Sequence, residues 1–575
     1  MMKADLCEWL LFLTFVLVLC PAGAGRERMP SAGPDDRLSR IEALWAAGQW
    51  EAVVTLASSP DLSADVDYYR GMALARLERW QEARAAFESG RRKAPHDPRF
   101  LFELAGVAYK QNRRNESRHF LKNALRLDPT DAYGNDFLAG IYFLDGNLEA
   151  ALKFWNREGR PEVRNVMIEP NLRVDPVLLD RAFAIAPRSE LRLEELYASR
   201  TLVESFGIFH SPRFELSPRD DGTFDLNFRA SERNGWGASR LEGLVSLLRD
   251  IPHQSLRPEF YNLGGSAWNS LSLLRWDAQK QRFATSISGP IDGNPRLRLQ
   301  ALLDARREHW DVGSALREAA DVPADFELRS VEAGAEVRDM VGTHTSLRTA
   351  ITVSDRRFSG APTDNSPLGT LFQQGVLLKY DAGLHQGYSA PENRLEVSWD
   401  ADASFGKVLT TWGKPYARAT GVLRWQWLPE PRGKDYRGAG RIGAGMTLGE
   451  APFDELFSLG LETDNDIYLR GHMGTLNGKK GAGPLGRNYL LLNCGVDKLV
   501  HRNGLWELTA GPFVDTGKSY AASTPFGSRW LLDAGIVTRF TILGSITLAL
   551  SYGRNVQGPR DALFLRITGT DDGNR

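Results

Sequence analysis

The feature that leaves this chain the fewest folds is an alternation of apolar and polar residues sustained over runs of ten residues and more. Leu395, Val397, Trp399, Ala401, Ala403 and Phe405 alternate with Arg394, Glu396, Ser398, Asp400, Asp402 and Ser404. Leu347, Thr349, Ile351 and Val353 alternate in the same way with Arg348, Ala350, Thr352 and Ser354, and Leu423, Trp425 and Trp427 with Arg424 and Gln426. A half-buried strand of a soluble sandwich shows this pattern over about five or six residues. Runs of about ten with the charges on one parity fit strands that cross lipid and turn the other face to a wet lumen. The segment from 236 to 575 is therefore expected to be a transmembrane antiparallel β-barrel. Between residues 253 and 569 the pattern divides into fifteen strands. A barrel with both flanks on one side needs an even number, so about sixteen are expected.

Composition agrees with strands and excludes several alternatives. Mean hydropathy is low at −0.33, yet there are 55 Gly, 15 Trp and 27 Phe. Beyond the amino terminus no window approaches the roughly 20 apolar residues of a spanning helix. Residues 1–25 read as a secretory signal, with Lys3, an apolar core from Leu10 to Leu19, and the small-residue site Ala22-Gly23-Ala24. A net charge of −1 gives no reason to expect a nucleic-acid partner. Of three cysteines, Cys7 and Cys20 lie in the signal, which leaves Cys494 and no internal disulfide. The His residues show no i, i+4 pair, so neither a metal nor a cofactor is expected.

Residues 38–160 repeat with a period of 34. Gly71, Leu74, Ala83, Phe87, Gly90 and Pro95 recur as Ala105, Ala108, Ser117, Leu121, Ala124 and Pro129, and a third copy begins with Ala139, Tyr142, Ala151 and Trp155. Small residues at fixed offsets let paired helices approach, large ones fill between them, and proline ends the second helix. The pattern resembles tetratricopeptide repeats. That resemblance implies an all-α stack whose concave face binds a peptide or a periplasmic protein partner.

Residues 161–234 change period. Val163, Val166 and Ile168 suggest a strand, Asp175-Pro176 opens a helix, and Leu191 to Val203 forms a second. Strands around Phe214 and from Phe224 to Ala230 follow, joined by the turn Asp220-Asp221-Gly222. This β-α-α-β-β order before a barrel resembles one α+β POTRA domain.

Two short motifs lie in the carboxyl half. Leu469-Arg470-Gly471-His472 sits in a Gly-rich segment from Glu450 to Arg487, and Phe513-Val514-Asp515-Thr516-Gly517 lies on a later strand. Parity sets Trp506, Leu508 and Val514 toward lipid and sends Phe513 and Asp515 inward. A carboxylate there calls for a cation, and the planar fork of Arg470 can bind it bidentately. The pair of motifs resembles the POTRA-plus-barrel outer-membrane assembly and translocation superfamily that includes BamA. There a long loop folds back into the lumen and its Arg meets the Asp of F-x-D-x-G. Here His472 stands where the aromatic of that loop motif is usual.

The resemblance implies a non-enzymatic outer-membrane protein that inserts barrel proteins or translocates polypeptides, touching outer-membrane lipid and unfolded outer-membrane or secreted chains. The amino-terminal domains would lie in the periplasm, with the short turns His501 to Gly504 and Leu543 to Ser545 beside them. A polysaccharide-export porin of the repeat-plus-barrel type is the alternative, and it requires a wide lumen with no latched loop. No catalytic constellation is found. Gly478-Lys479-Lys480 lacks the spacing of a phosphate loop and reads as a solvated turn.

Overall fold

The structure is a computed structural model describing residues 35–58, 63–233, 235, 251, 254–313, 325–361, 371–410, 413–429, 435–462, 464–520, 529–542, 546–558 and 561–569. The signal segment and the turn expected at 543–545 lie outside the described residues. By its contacts the chain forms two units: Met1–Asn165 with Pro187–Leu193 and Leu216–Asp225, and Val166–Ala186 with Glu194–Glu215 and Leu226–Arg575.

The first unit is a stack of paired helices: α1 (Asp35–Ala46), α2 (Trp50–Leu56), α3 (Ala64–Arg76), α4 (Trp80–Lys93), α5 (Pro98–Lys110), α6 (Arg114–Leu127), α7 (Ala132–Leu144) and α8 (Leu148–Trp155). Side-chain caps start the first helix of the last three pairs. Ser63, Asp97 and Asp131 accept from the backbone N–H of Val66, Arg99 and Gly134, and Pro98 occupies the first turn of α5. The repeat residues do the packing the period implies. A Cβ on Gly71 would lie 2.5 Å from the Phe87 ring, and one on Gly90 would lie 2.2 Å from the ring of Phe100. Ala83, Phe87, Ala105 and Leu121 are fully buried, while Pro95 and Pro129 follow the ends of α4 and α6. The last pair is closed by Phe224, whose ring lies 5.6 Å from Trp155 and 5.9 Å from Phe143.

Between α3 and α5 the Tyr68 hydroxyl donates to Glu103 at 3.3 Å, and burial pushes the Glu103 carboxyl up to about 7. Its folded value lies above its unfolded one, near 4.5. The folded stack therefore holds this proton more tightly than the unfolded chain, and loses stability as pH rises from about 4.5 to about 7. In Glu103→Gln the helical far-UV melting temperature should fall less over that window than it does in the parent.

A small α/β module follows: β1 (Glu162–Glu169), α9 (Pro176–Ala182), β2 (Ser189–Glu190), α10 (Leu193–Ser205), β3 (Phe209–Pro218) and β4 (Phe224–Glu232), with its strands in the sheet order β2-β1-β4-β3. Its elements match the order read from the sequence, with the two-residue β2 added. The unit boundary runs through this module, so 161–234 does not separate as one contact unit. The cause is local: Phe224 and Leu191 serve the helical unit, and Asn156 Nδ2 donates to the Leu191 carbonyl at 2.8 Å.

The barrel strands are β5 (Ser255–Leu256), β6 (Glu259–Leu263), β7 (Trp268–Trp276), β8 (Lys280–Ile291), β9 (Asn294–Asp311), β10 (Asp325–Asp339), β11 (Thr345–Ser359), β12 (Gly375–Ala390), β13 (Leu395–Val408), β14 (Pro415–Trp427) and β15 (Tyr436–Gly449). A long loop carries six short pieces: β16 (Phe457–Ser458), β17 (Gly460–Leu461), β18 (Leu469–Met473), β19 (Thr475–Leu476), β20 (Lys479–Lys480) and β21 (Leu485–Gly486). Then come β22 (Asn488–Arg502), β23 (Trp506–Tyr520), β24 (Leu531–Ile542), β25 (Ile546–Asn555) and β26 (Asp561–Gly569). The ring is closed, with β26 next to β5.

β5 and β6 both pair with β7, so they are one interrupted crossing, and fifteen crossings fall among the described residues. Each step from β6 round to β26 is antiparallel, which leaves the first and last crossings running the same way. Among the described residues the ring closes through β5. The module meets one rim among the described residues. The Asp175 N–H donates to Gly265 O at 2.7 Å, Thr201 Oγ1 to Thr343 O at 2.7 Å, and Arg181 to Gly293 O at 3.1 Å. By strand alternation this rim also carries the His501–Gly504 turn, and the long loop leaves from the other.

Period two is realised as an outward apolar belt. Ile351, Phe405, Ile442, Val514 and Ile536 are among its most exposed members, as lipid rather than water requires. On β22 Leu490, Leu492 and Val496 face out, whereas Tyr489, Leu491 and Asn493 are buried. Cys494 shares the outward parity. In detergent-free membranes it should resist a charged, impermeant thiol reagent from either side; rapid labelling would place it in the lumen.

Candidate functional site

The loop between β15 and β22 turns back into the barrel, and Leu469-Arg470-Gly471-His472 forms its tip. Local sequence shapes the bend. Asn465 Nδ2 lies within hydrogen-bond distance of the Ser458, Gly460 and Ile467 carbonyls, and β17 pairs in parallel with β18. Gly460, Gly474 and Gly483 meet backbone to backbone, where a Cβ on Gly460 would lie 2.3 Å from Gly474 Cα.

Arg470 grips Asp515 bidentately, with Nε to Oδ2 at 2.8 Å and Nη2 to Oδ1 at 2.5 Å, and its backbone N–H adds a third bond at 2.9 Å. The Phe513 ring lies 3.7 Å under the guanidinium. Gly517 leaves room for Leu469: a Cβ there would lie 3.3 Å from Leu469 Cδ2. Leu469 itself is fully buried with Phe457, Leu459, Tyr489 and Leu491. All the motif residues read from the sequence are thus brought together.

A wet lumen screens an ion pair and makes it weak, but Asp515 is wholly buried. In a dry pair the loss of one partner strands a charge, a cost of about 3–5 kcal/mol.

Sequence reasoning missed a second anchor. Asp533 on β24 lies directly across from Asp515 on β23 and is equally buried. It accepts from the Gly471 N–H at 2.6 Å and from His472 Nδ1 at 3.1 Å, and its Oδ1 has no hydrogen-bond partner among the described residues. With the Asn555 amide donating to His472 Nε2 at 3.4 Å, the ring proton belongs on Nδ1, pointing at Asp533. A Cβ on Gly471 would lie 2.5 Å from the Asp533 carboxyl, so only glycine fits. Inward parity with Val537 and Arg539 is the signal that could have singled out Asp533.

The rest of the loop is fastened as well. Tyr468 lies 4.8 Å from the Arg441 guanidinium and 5.5 Å from that of Arg566, and its carbonyl accepts from Asn493 at 3.1 Å. Phe453 joins Trp310, Phe326 and Phe372 in an aromatic cluster at the loop's root. The reading of Gly478-Lys479-Lys480 as a solvated turn is corrected: Lys479 pairs with Asp325, and Lys480 pairs with Glu308 at 2.6 Å. Counting Ala451 against Val408 on β13, the loop engages all fourteen strands β7–β15 and β22–β26. No group of three or more metal-ligating side chains occurs among the described residues.

Residues 74–141 match the tetratricopeptide repeat family model. These tetratricopeptide repeats precede a barrel similar to several solved structures. BamA from Haemophilus ducreyi lacking POTRA domains 1–3 is 13% identical with a TM-score of 0.42, over 71% of this chain and 84% of that one. CdiB from Escherichia coli is 14% identical with a TM-score of 0.47, over 71% and 76%. MamA is 13% identical with a TM-score of 0.21, over 22% of this chain and 75% of that one. No curated protein matches the chain.

The latch makes a direct prediction. Arg470→Ala and Asp515→Ala should each leave a folded barrel whose loop, residues 450–487, becomes open to limited proteolysis. The double variant should be little worse than either single, because partners in one contact are not additive. Gly553→Ala should also release the tip, since its Cβ would lie 2.2 Å from the Arg470 carbonyl oxygen. Effects that simply add would remove the latch.

Proposed function

We propose that this chain is an outer-membrane protein that assembles or inserts outer-membrane proteins or translocates polypeptides, and that it does so without enzymatic chemistry. The observation that carries the reading is the loop drawn across the lumen and held by Arg470 on the wholly buried Asp515. A solute or polysaccharide porin needs a standing channel, whereas here a loop drawn into the lumen is fastened to strands all round the ring. The closing strand β5 supports the same reading: among the described residues the ring closes through two residues there, and a seam that short is its weakest. Opening there would free the edge of β26, and an unpaired edge is a template for an incoming strand.

In this reading the tetratricopeptide repeats and the small module, taken as a POTRA domain, lie in the periplasm. The repeats recruit a periplasmic protein, and the module offers strand edges to unfolded substrate. The apolar belt sits in outer-membrane lipid. Depleting the protein and quantifying the outer-membrane and secreted proteomes tests this. A defined set of barrel or secreted polypeptides should be lost while surface polysaccharide is kept. An unchanged protein profile with lost polysaccharide would overturn the reading in favour of the exporter.

A further inference from the structure

The acids of the loop meet one arc of the lumen wall. Asp454 pairs with Arg356 at 2.7 Å, and Glu455 lies 3.4 Å from both Lys379 and Arg418. Glu462 pairs with Lys280 at 3.0 Å, and Asp464 pairs with Arg275 at 2.5 Å. These cations stand on β7, β8, β11, β12 and β14. Among the described residues, each of the five has a carboxylate within ion-pair distance only on the loop. Two are almost wholly enclosed, Arg356 at 1% and Arg275 at 6% exposure.

When the loop withdraws, the five cations on this arc lose their facing carboxylates together and leave a concentrated positive field on the wall of the opened lumen. The arc is therefore left in want of carboxylates whenever the lumen opens. We propose that this arc is a binding surface for an acidic polypeptide segment, which takes the places of Asp454, Glu455, Glu462 and Asp464 when the loop leaves. The loop in its resting position then acts as the competing occupant. The inference rests on the polypeptide-handling reading above and adds the chemistry of the segment handled.

The full-length protein in planar lipid bilayers under a potassium chloride gradient tests it, with Arg470→Ala used to release the loop. Glu455→Gln/Asp464→Asn provides a second route to release should Arg470→Ala not fold. The released channel should be anion-selective. Poly-L-glutamate should block it at a concentration at least about tenfold below that of poly-L-lysine of equal length. Lys379→Glu/Arg418→Glu added to the released channel should abolish that preference. A cation-selective channel, equal block by both polymers, or no conductance from either released variant would overturn the proposal. Loss of the polyglutamate preference with the depletion phenotype intact would sink this inference alone. Retained preference with no polypeptide defect on depletion would sink the polypeptide reading and leave an anion passage.

Discussion

Two carboxylates sealed from water on neighbouring strands, Asp515 and Asp533, set the terms for the rest of the barrel. Like charges directly opposite one another across a sheet repel, and neither can be hydrated where it stands. Among the described residues no cation of the wall lies within ion-pair distance of Asp515. The loop supplies one in Arg470, and it brings the Gly471 N–H and the His472 ring to Asp533. Wall and tip are each incomplete without the other, so the lumen's resting state is the occupied one.

Space for that occupant is made by residues without side chains. Gly495, Gly517, Gly535 and Gly553 lie on β22 to β25 around the tip, and the Gly553 position all but touches the Arg470 carbonyl. The same device works in the helical repeats, where Gly71 and Gly90 admit the rings of Phe87 and Phe100. In both places close approach rather than turn geometry is what glycine serves.

The loop is held by three kinds of force at three depths. Aromatic packing around Phe453 anchors its root, ion pairs from Asp454 to Asp464 fasten its length, and hydrogen-bonded charge fixes its tip. Pairs as enclosed as Arg356–Asp454 and Arg275–Asp464 are screened by salt far less than exposed ones, so charge and apolar packing act together on the loop.

Much of this was legible in the residues, and the reason is periodicity. The spacing of 34 placed Gly71, Ala83, Phe87, Ala105 and Leu121 in a helical core, because a repeat cannot bury its face without its neighbours. Period two set Val514 and Cys494 outward and Phe513 and Asp515 inward, because a strand fixes side-chain direction by parity alone. Other features waited for the fold, since they depend on which strands become neighbours. Nothing in the spacing joins Asp533 to Asp515, or Asp464 to Arg275. The dryness of the latch also belongs to the tertiary structure: parity could turn Asp515 into the lumen, but only the folded loop removes the water around it.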